Sequence, residues 1–145
     1  MSCAIRFAAP VAVFCALAAA TPAVGADLEV TVRGVAHGKG AVKAALYGDP
    51  ATFRKEEMAQ SRQSRHAQAG DAVFVFSGLA DGRYAVIVYH DENDNGQMDR
   101  FLGMIPTEGY GLSNNPEVSG PPQFDPSAIA VAGDQPVRTA IELRY

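Results

Sequence analysis

The chain has 145 residues, enough for one domain of ordinary size, with 12 Lys and Arg against 16 Asp and Glu. A net charge of −4 without any basic stripe excludes the phosphate neutralisation that nucleic-acid binding rests on, and it disfavours docking on anionic lipid. Its 2 cysteines, Cys3 and Cys15, both fall in the first 26 residues, so once that segment is removed the fold cannot be stapled by a disulfide.

That first segment reads as an export signal. Arg6 supplies a basic start, Phe7 to Ala20 is an apolar run, and Val24-Gly25-Ala26 offers small residues for cleavage. The run makes about 21 Å of helix, short of the ~30 Å bilayer core, and Pro10 and Pro22 suit an excised peptide better than a spanning helix. Phe14 before Cys15 is too bulky for a lipoprotein processing site. The expectation is a signal over 1–26, removed near Ala26, and one domain over 27–145 that is periplasmic or secreted and has no transmembrane segment. That domain keeps 11 basic against 16 acidic residues.

Leu28, Val30 and Val32 alternate with Glu29, Thr31 and Arg33, the period-two pattern of a half-buried strand. After the turn Ala36-His37-Gly38-Lys39-Gly40, Val42, Ala44 and Leu46 define a second strand, predicted to pair with the first as a hairpin. Asp49 and Pro50 suit the start of one short helix, about two turns long, pinned by Phe53 and Met58. Gln60 to Ala69 is polar on both faces and reads as an edge strand or an ordered loop. Ala72–Ser77 and Arg83–Tyr89 are β-branched and aromatic on both faces, as central strands are, with Asp81-Gly82 as a tight turn between them. Phe101 to Asp125 is a long insertion rich in Gly, Pro and Asn, which Phe101, Leu102, Ile105, Tyr110, Leu112 and Phe124 would pack down. Ala128–Ala132 and Val137–Leu143 supply the last strands. These elements predict an all-β fold, an antiparallel β-sandwich of about seven strands.

The residues from His90 to Asp99 carry the densest set of side-chain oxygens. Asp91, Asn93, Asn95, the carbonyl of Gln97, and Asp99 stand at the spacing of a calcium loop, with Gly96 at its sharp turn. Leu102 takes the place of the closing bidentate glutamate, so this is no EF-hand, and Glu108 is the candidate to complete the shell. With two loop carboxylates, Ca2+ affinity would be weak, ~0.1–1 mM. The competing reading is a polar turn bonded to its own backbone, since Asp, Asn and Gly favour turns for that reason alone. His90 is a general base, a metal ligand or, more simply, a hydrogen-bonded histidine at a strand end; His37 and His66 stand apart from it in sequence. Gly111-Leu112-Ser113 lacks the second glycine and the strand-to-helix context of a nucleophile elbow. Gly38-Lys39-Gly40 precedes a strand, with no helix N-terminus to hold phosphate.

Phe76-Ser77-Gly78-Leu79 with Gly82-Arg83-Tyr84, then His90-Asp91-Glu92-Asn93, Gly109-Tyr110-Gly111, Ser113-Asn114-Asn115 and Gly120-Pro121-Pro122 resemble the bacterial "domain of unknown function 2141" family. The resemblance spans essentially the whole chain after the leader. It implies an exported protein without assigned activity. The Leu79-to-Tyr84 segment is also similar to transthyretin-like and Ig-like β-sandwich modules, which bears on fold and not on activity. The function expected is that of an exported, non-enzymatic binding or accessory module, with a protein or envelope ligand as partner and a candidate weak calcium loop. The alternatives are an enzyme using His90 and neighbouring acids, or a structural envelope module without metal.

Overall fold

The alternation at the start of the chain becomes β1 (Ala26–Val35), with Leu28, Val30 and Val32 fully buried. The structure, a computed structural model, describes residues 25–145. Residues 1–24 of the expected leader, both cysteines among them, lie outside the described residues. Ala26, the last residue assigned to that leader, is itself buried and opens β1. No helix among the described residues is long and apolar enough to cross a membrane.

The strands that follow are β2 (Ala41–Tyr47), β3 (Ser61–His66), β4 (Gly70–Leu79), β5 (Gly82–Asp91), β6 (Arg100–Phe101), β7 (Ile105–Pro106), β8 (Tyr110–Leu112), β9 (Ile129–Val131) and β10 (Val137–Glu142). One short helix, α1 (Phe124–Ser127), lies in the insertion. One sheet runs β10-β1-β4 and the other β3-β2-β5-β8, with β9 also paired to β5. The fold is an all-β sandwich, antiparallel throughout except that β1 and β10 run parallel. Its core lies between the sheets, where Leu28, Val30, Phe74, Phe76 and Ile141 face Val42, Leu46, Val86 and Val88.

The expected hairpin of the first two strands does not form, and the tight turn at Asp81-Gly82 does not make one either. β1 and β2 lie in different sheets, and so do β4 and β5. Alternation tells which face of a strand is buried, and both sheets of a sandwich bury a face in the same core. A short turn therefore serves equally well to cross between layers. β4 is accordingly an edge strand, with Val73 and Val75 exposed on its outer face, instead of a central one. The polar segment resolves as edge strand β3, paired to β2 over Ser61–His66. Polar residues at an edge keep it from pairing with other chains.

The predicted helix at 49–58 shortens to turns and a 3-10 segment, Glu56–Met58. Asp49 does accept the Ala51 amide at 2.8 Å, but Arg54 at φ 71 stops the helix one turn on. Phe53 is buried while Met58 is half exposed. Phe53 joins Tyr47, Ala85, Leu112 and Phe124 in a second apolar cluster on the outer face of the β2–β5 sheet. The insertion thus splits in two. Tyr110 to Phe124 folds down as expected, whereas Phe101, Leu102 and Ile105 do not; they stand exposed on the β6–β7 hairpin.

Candidate functional site

The site residues sit where β5 leaves the sheet. Pairing carries β5 through Asp91, opposite Ala41, so the Asp91 side chain lands on the same face as Lys43 and Tyr89. Asp91 is fully buried. Its Oδ2 lies 3.0 Å from Lys43 Nζ and accepts the Gly96 amide at 2.9 Å, while Oδ1 accepts the Asn95 amide at 3.0 Å. Burial pushes this carboxyl up, yet Lys43 and the two amides outweigh it and hold the group below the usual carboxylate range.

The rest of the loop closes on itself. Asn93 Oδ1 accepts the Asn95 amide at 3.1 Å, and Asn95 Oδ1 accepts the Gln97 amide at 2.8 Å. Asp99 accepts from the side-chain amides of Asn93 and Asn95 at 2.6 and 2.8 Å. Glu108 does reach back from the insertion, but to backbone: its buried carboxylate accepts the Glu92 amide at 2.9 Å and the Asp99 amide at 3.0 Å. It pins both ends of the loop. The alternating Asp/Asn pattern is therefore spent on Asx-type bonds to the chain two to five residues on. Calcium–oxygen bonds of about 2.4 Å put ligand oxygens no more than about 5 Å apart. Asp91, Asp99 and Glu108 do not form such a trio; among the described residues the group with ligand atoms within 4.8 Å of one another is His37, His90 and Glu92.

His90 is fully buried between two partners. Its Nε2 lies 2.8 Å from the Lys39 carbonyl oxygen, which only accepts, so Nε2 carries the proton. Nδ1 faces the Tyr145 hydroxyl at 2.8 Å, and that hydroxyl accepts the Ala36 amide at 2.9 Å. The ring joins the 36–40 loop to the chain's last residue. His37 packs against it with ring centroids 4.8 Å apart and holds Glu92 Oε2 at 2.9 Å through Nε2. The pairing of His37 with His90 was invisible in a sequence where 53 positions separate them.

Ser113, the weak nucleophile candidate, is fully buried and structural. Its Oγ accepts the Val86 amide at 2.8 Å and donates to the Ser127 carbonyl, prolonging β8 along β5 and fastening α1. Asn114 and Asn115 follow at φ 63 and 47, conformations that Asn tolerates. Asn115 Oδ1 then accepts the Glu142 amide at 2.8 Å, and its Nδ2 donates to the Ala140 carbonyl at 2.9 Å. Gly111 leaves room for β10, since a Cβ there would lie 2.5 Å from Ile141 Cγ2. The Gly-Tyr-Gly-x-Ser-Asn-Asn segment thus docks the last strand.

The hairpin β6–β7 leaves the loop between two fixed points, Asp99 and Glu108. The Thr107 amide donates to the Asp99 carbonyl at 3.0 Å at its base, and the Met104 amide to the Phe101 carbonyl at 3.2 Å at its turn. Leu102 at φ 51 and Gly103 at φ 70 occupy the turn, both left-handed as a type I′ turn requires. Leucine is an unusual occupant there, and four large apolar side chains stand in solvent: Phe101 is 60%, Leu102 74%, Met104 75% and Ile105 59% exposed.

No curated protein and no solved structure matches the chain. A family model described as "Uncharacterized protein conserved in bacteria (DUF2141)" matches residues 30–139. That span takes in both sheets, the Asp91–Asp99 loop, the Glu108 clasp and the hairpin, and the chain belongs to this bacterial family.

Proposed function

We propose that the protein is an exported, non-catalytic binding module whose contact surface is the β6–β7 hairpin, held out by the loop beneath it. The observation that carries this reading is the exposed run Phe101, Leu102, Met104 and Ile105 on a turn whose backbone favours asparagine or glycine. Backbone strain of this kind persists where the surroundings fix it, and here Glu108 does so by bonding the Asp99 amide. The partner is a protein or envelope ligand with a complementary apolar recess. The hydroxyl of Ser113 is committed to structural bonds, and buried His90 holds its Nε2–H on the Lys39 carbonyl, which weighs against the enzyme alternative.

Retention on immobilised bacterial envelope fractions tests the surface. The exposed double variant Leu102→Ser/Met104→Ser should fold like wild type and lose retention. No retention of wild type, or equal retention of both, would sink the reading. Export itself is checked by mass spectrometry of the periplasmic fraction, where the recovered chain should lack the leader up to the Val24–Ala26 segment.

A weak calcium site on Asp91, Asn93, Asn95, Gln97 and Asp99 is the second reading, with Glu108 beside the loop and bonded to the Glu92 and Asp99 amides. It requires Asp99 to exchange its two amide donors, and Asp91 its Lys43 partner, for the ion. If Ca2+ binds at ~0.5 mM, then ~10 mM should add about 1.8 kcal/mol and raise Tm by several degrees over chelator. An unchanged Tm leaves the hydrogen bonds as what closes the loop.

A further inference from the structure

We propose that His37, His90 and Glu92 form a binding site for a divalent first-row transition-metal ion of the Zn2+ type, separate from the Asp91–Asp99 loop. Two segments bring them together: His37 comes from the loop after β1, and His90 and Glu92 from the end of β5 and the residue just beyond it. One ligand atom from each lies within 4.8 Å of the other two. Two imidazole nitrogens and one carboxylate oxygen, with a fourth position left for water, make the donor set of an open zinc site.

Three details favour an ion over a purely hydrogen-bonded cluster. First, His90 Nε2–H donates to the Lys39 carbonyl, the outer bond that orients a ligating histidine and leaves the lone pair on the opposite nitrogen, Nδ1. Second, that lone pair is capped by the hydroxyl of Tyr145, which lies outside the strands and is 61% exposed, so the cap can be exchanged without moving a strand. Third, His37 and Glu92 are each about one-third open to solvent, giving an ion a way in.

His37 Nε2–H now faces Glu92 Oε2 at 2.9 Å. For the ion to bind, that one ring proton moves from Nε2 to Nδ1, a change of tautomer that frees the Nε2 lone pair for the metal. The change gives up the His37–Glu92 hydrogen bond and a long 3.3 Å contact from the Lys39 amide to Nδ1. Tetrahedral zinc holds its ligand atoms roughly 3.3 Å apart, so His37 and Glu92 separate slightly while the widest gap, up to 4.8 Å, closes by as much as about 1.5 Å. Rotation of the two partly exposed side chains, His37 and Glu92, supplies that movement. The site does not depend on the hairpin or on calcium, so it stands or falls independently of the proposed function.

The test is titration of the purified protein with Zn2+ by calorimetry and with Co2+ by visible absorption. Wild type should bind one equivalent of Zn2+, and Co2+ should show the d–d bands of a low-symmetry site that Zn2+ then abolishes. His37→Ala and Glu92→Gln alter partly exposed groups, should melt near wild type, and should weaken binding about tenfold or more. His66→Ala, on exposed edge strand β3, should bind as wild type does. Absence of Zn2+ heat and Co2+ bands in wild type overturns the proposal, as does unchanged affinity in both His37→Ala and Glu92→Gln.

Discussion

At Asp91 the charge balance can be read in full. A buried carboxylate is costly unless paired, and here Lys43 and two backbone amides pair it. Because the folded group lies below its ordinary range, the folded state binds its proton less readily than the unfolded chain does. The stabilisation is therefore complete above the unfolded value and is lost as pH falls through the folded one. Lys43→Met should cost ~2–4 kcal/mol near neutral pH by leaving that charge half paired. The difference from wild type should shrink as acid titrates Asp91, which urea unfolding at a series of pH values will show. An equal cost at every pH would mean that Lys43 acts by packing alone. Glu108 illustrates how far residue-level reading goes: it does turn back to the loop, but two backbone amides receive it. No spacing rule distinguishes a carboxylate that meets a cation from one that meets N–H groups, since both need the same negative oxygen.

Among the elements, the β6–β7 hairpin departs furthest from local preference. Type I′ turns favour Asn-Gly, and this one carries Leu102-Gly103 with the leucine left-handed. Leu102→Asn should relieve the strain and stabilise the hairpin by up to ~1 kcal/mol, seen as slower amide exchange at Met104. The same change should weaken retention on envelope fractions. A variant that gains stability and keeps full retention would show that the leucine serves neither purpose. The insertion's apolar residues were legible as a set, but their destinations were not. Leu112 and Phe124 reach the cluster around Tyr47 and Phe53, while Phe101 and Leu102 lie on a two-residue strand and its turn, too short to bend back onto the sheet.

Across the whole molecule, two sheets are held together by the core between them and by one seam at the chain's end. Along the seam, Tyr110 bridges Arg144, and Asn115 bonds Ala140 and Glu142. Asn115→Ala leaves a carbonyl and an amide of β10 without those partners and should cost ~2–3 kcal/mol, with faster exchange concentrated at Glu142. Uniform exchange across both sheets would instead mean that β10 does not open separately. From the sequence alone came the all-β class, most strand positions, the family resemblance and the polar loop at β5's end. The resemblance rests on matching motifs, and the rest follows from period-two burial, turn chemistry and local hydrogen bonding, which act over a few residues. Only the tertiary structure decided that the short turns cross between sheets, that β1 and β10 run parallel, and that His37 stands against His90. Both layers of a sandwich present the same alternation to one core, so local pattern says that a strand is buried on one side without saying beside which neighbour. The loop from His90 to Asp99 shows the same division, its bonds local and its anchors, Lys43 and Glu108, supplied by distant chain.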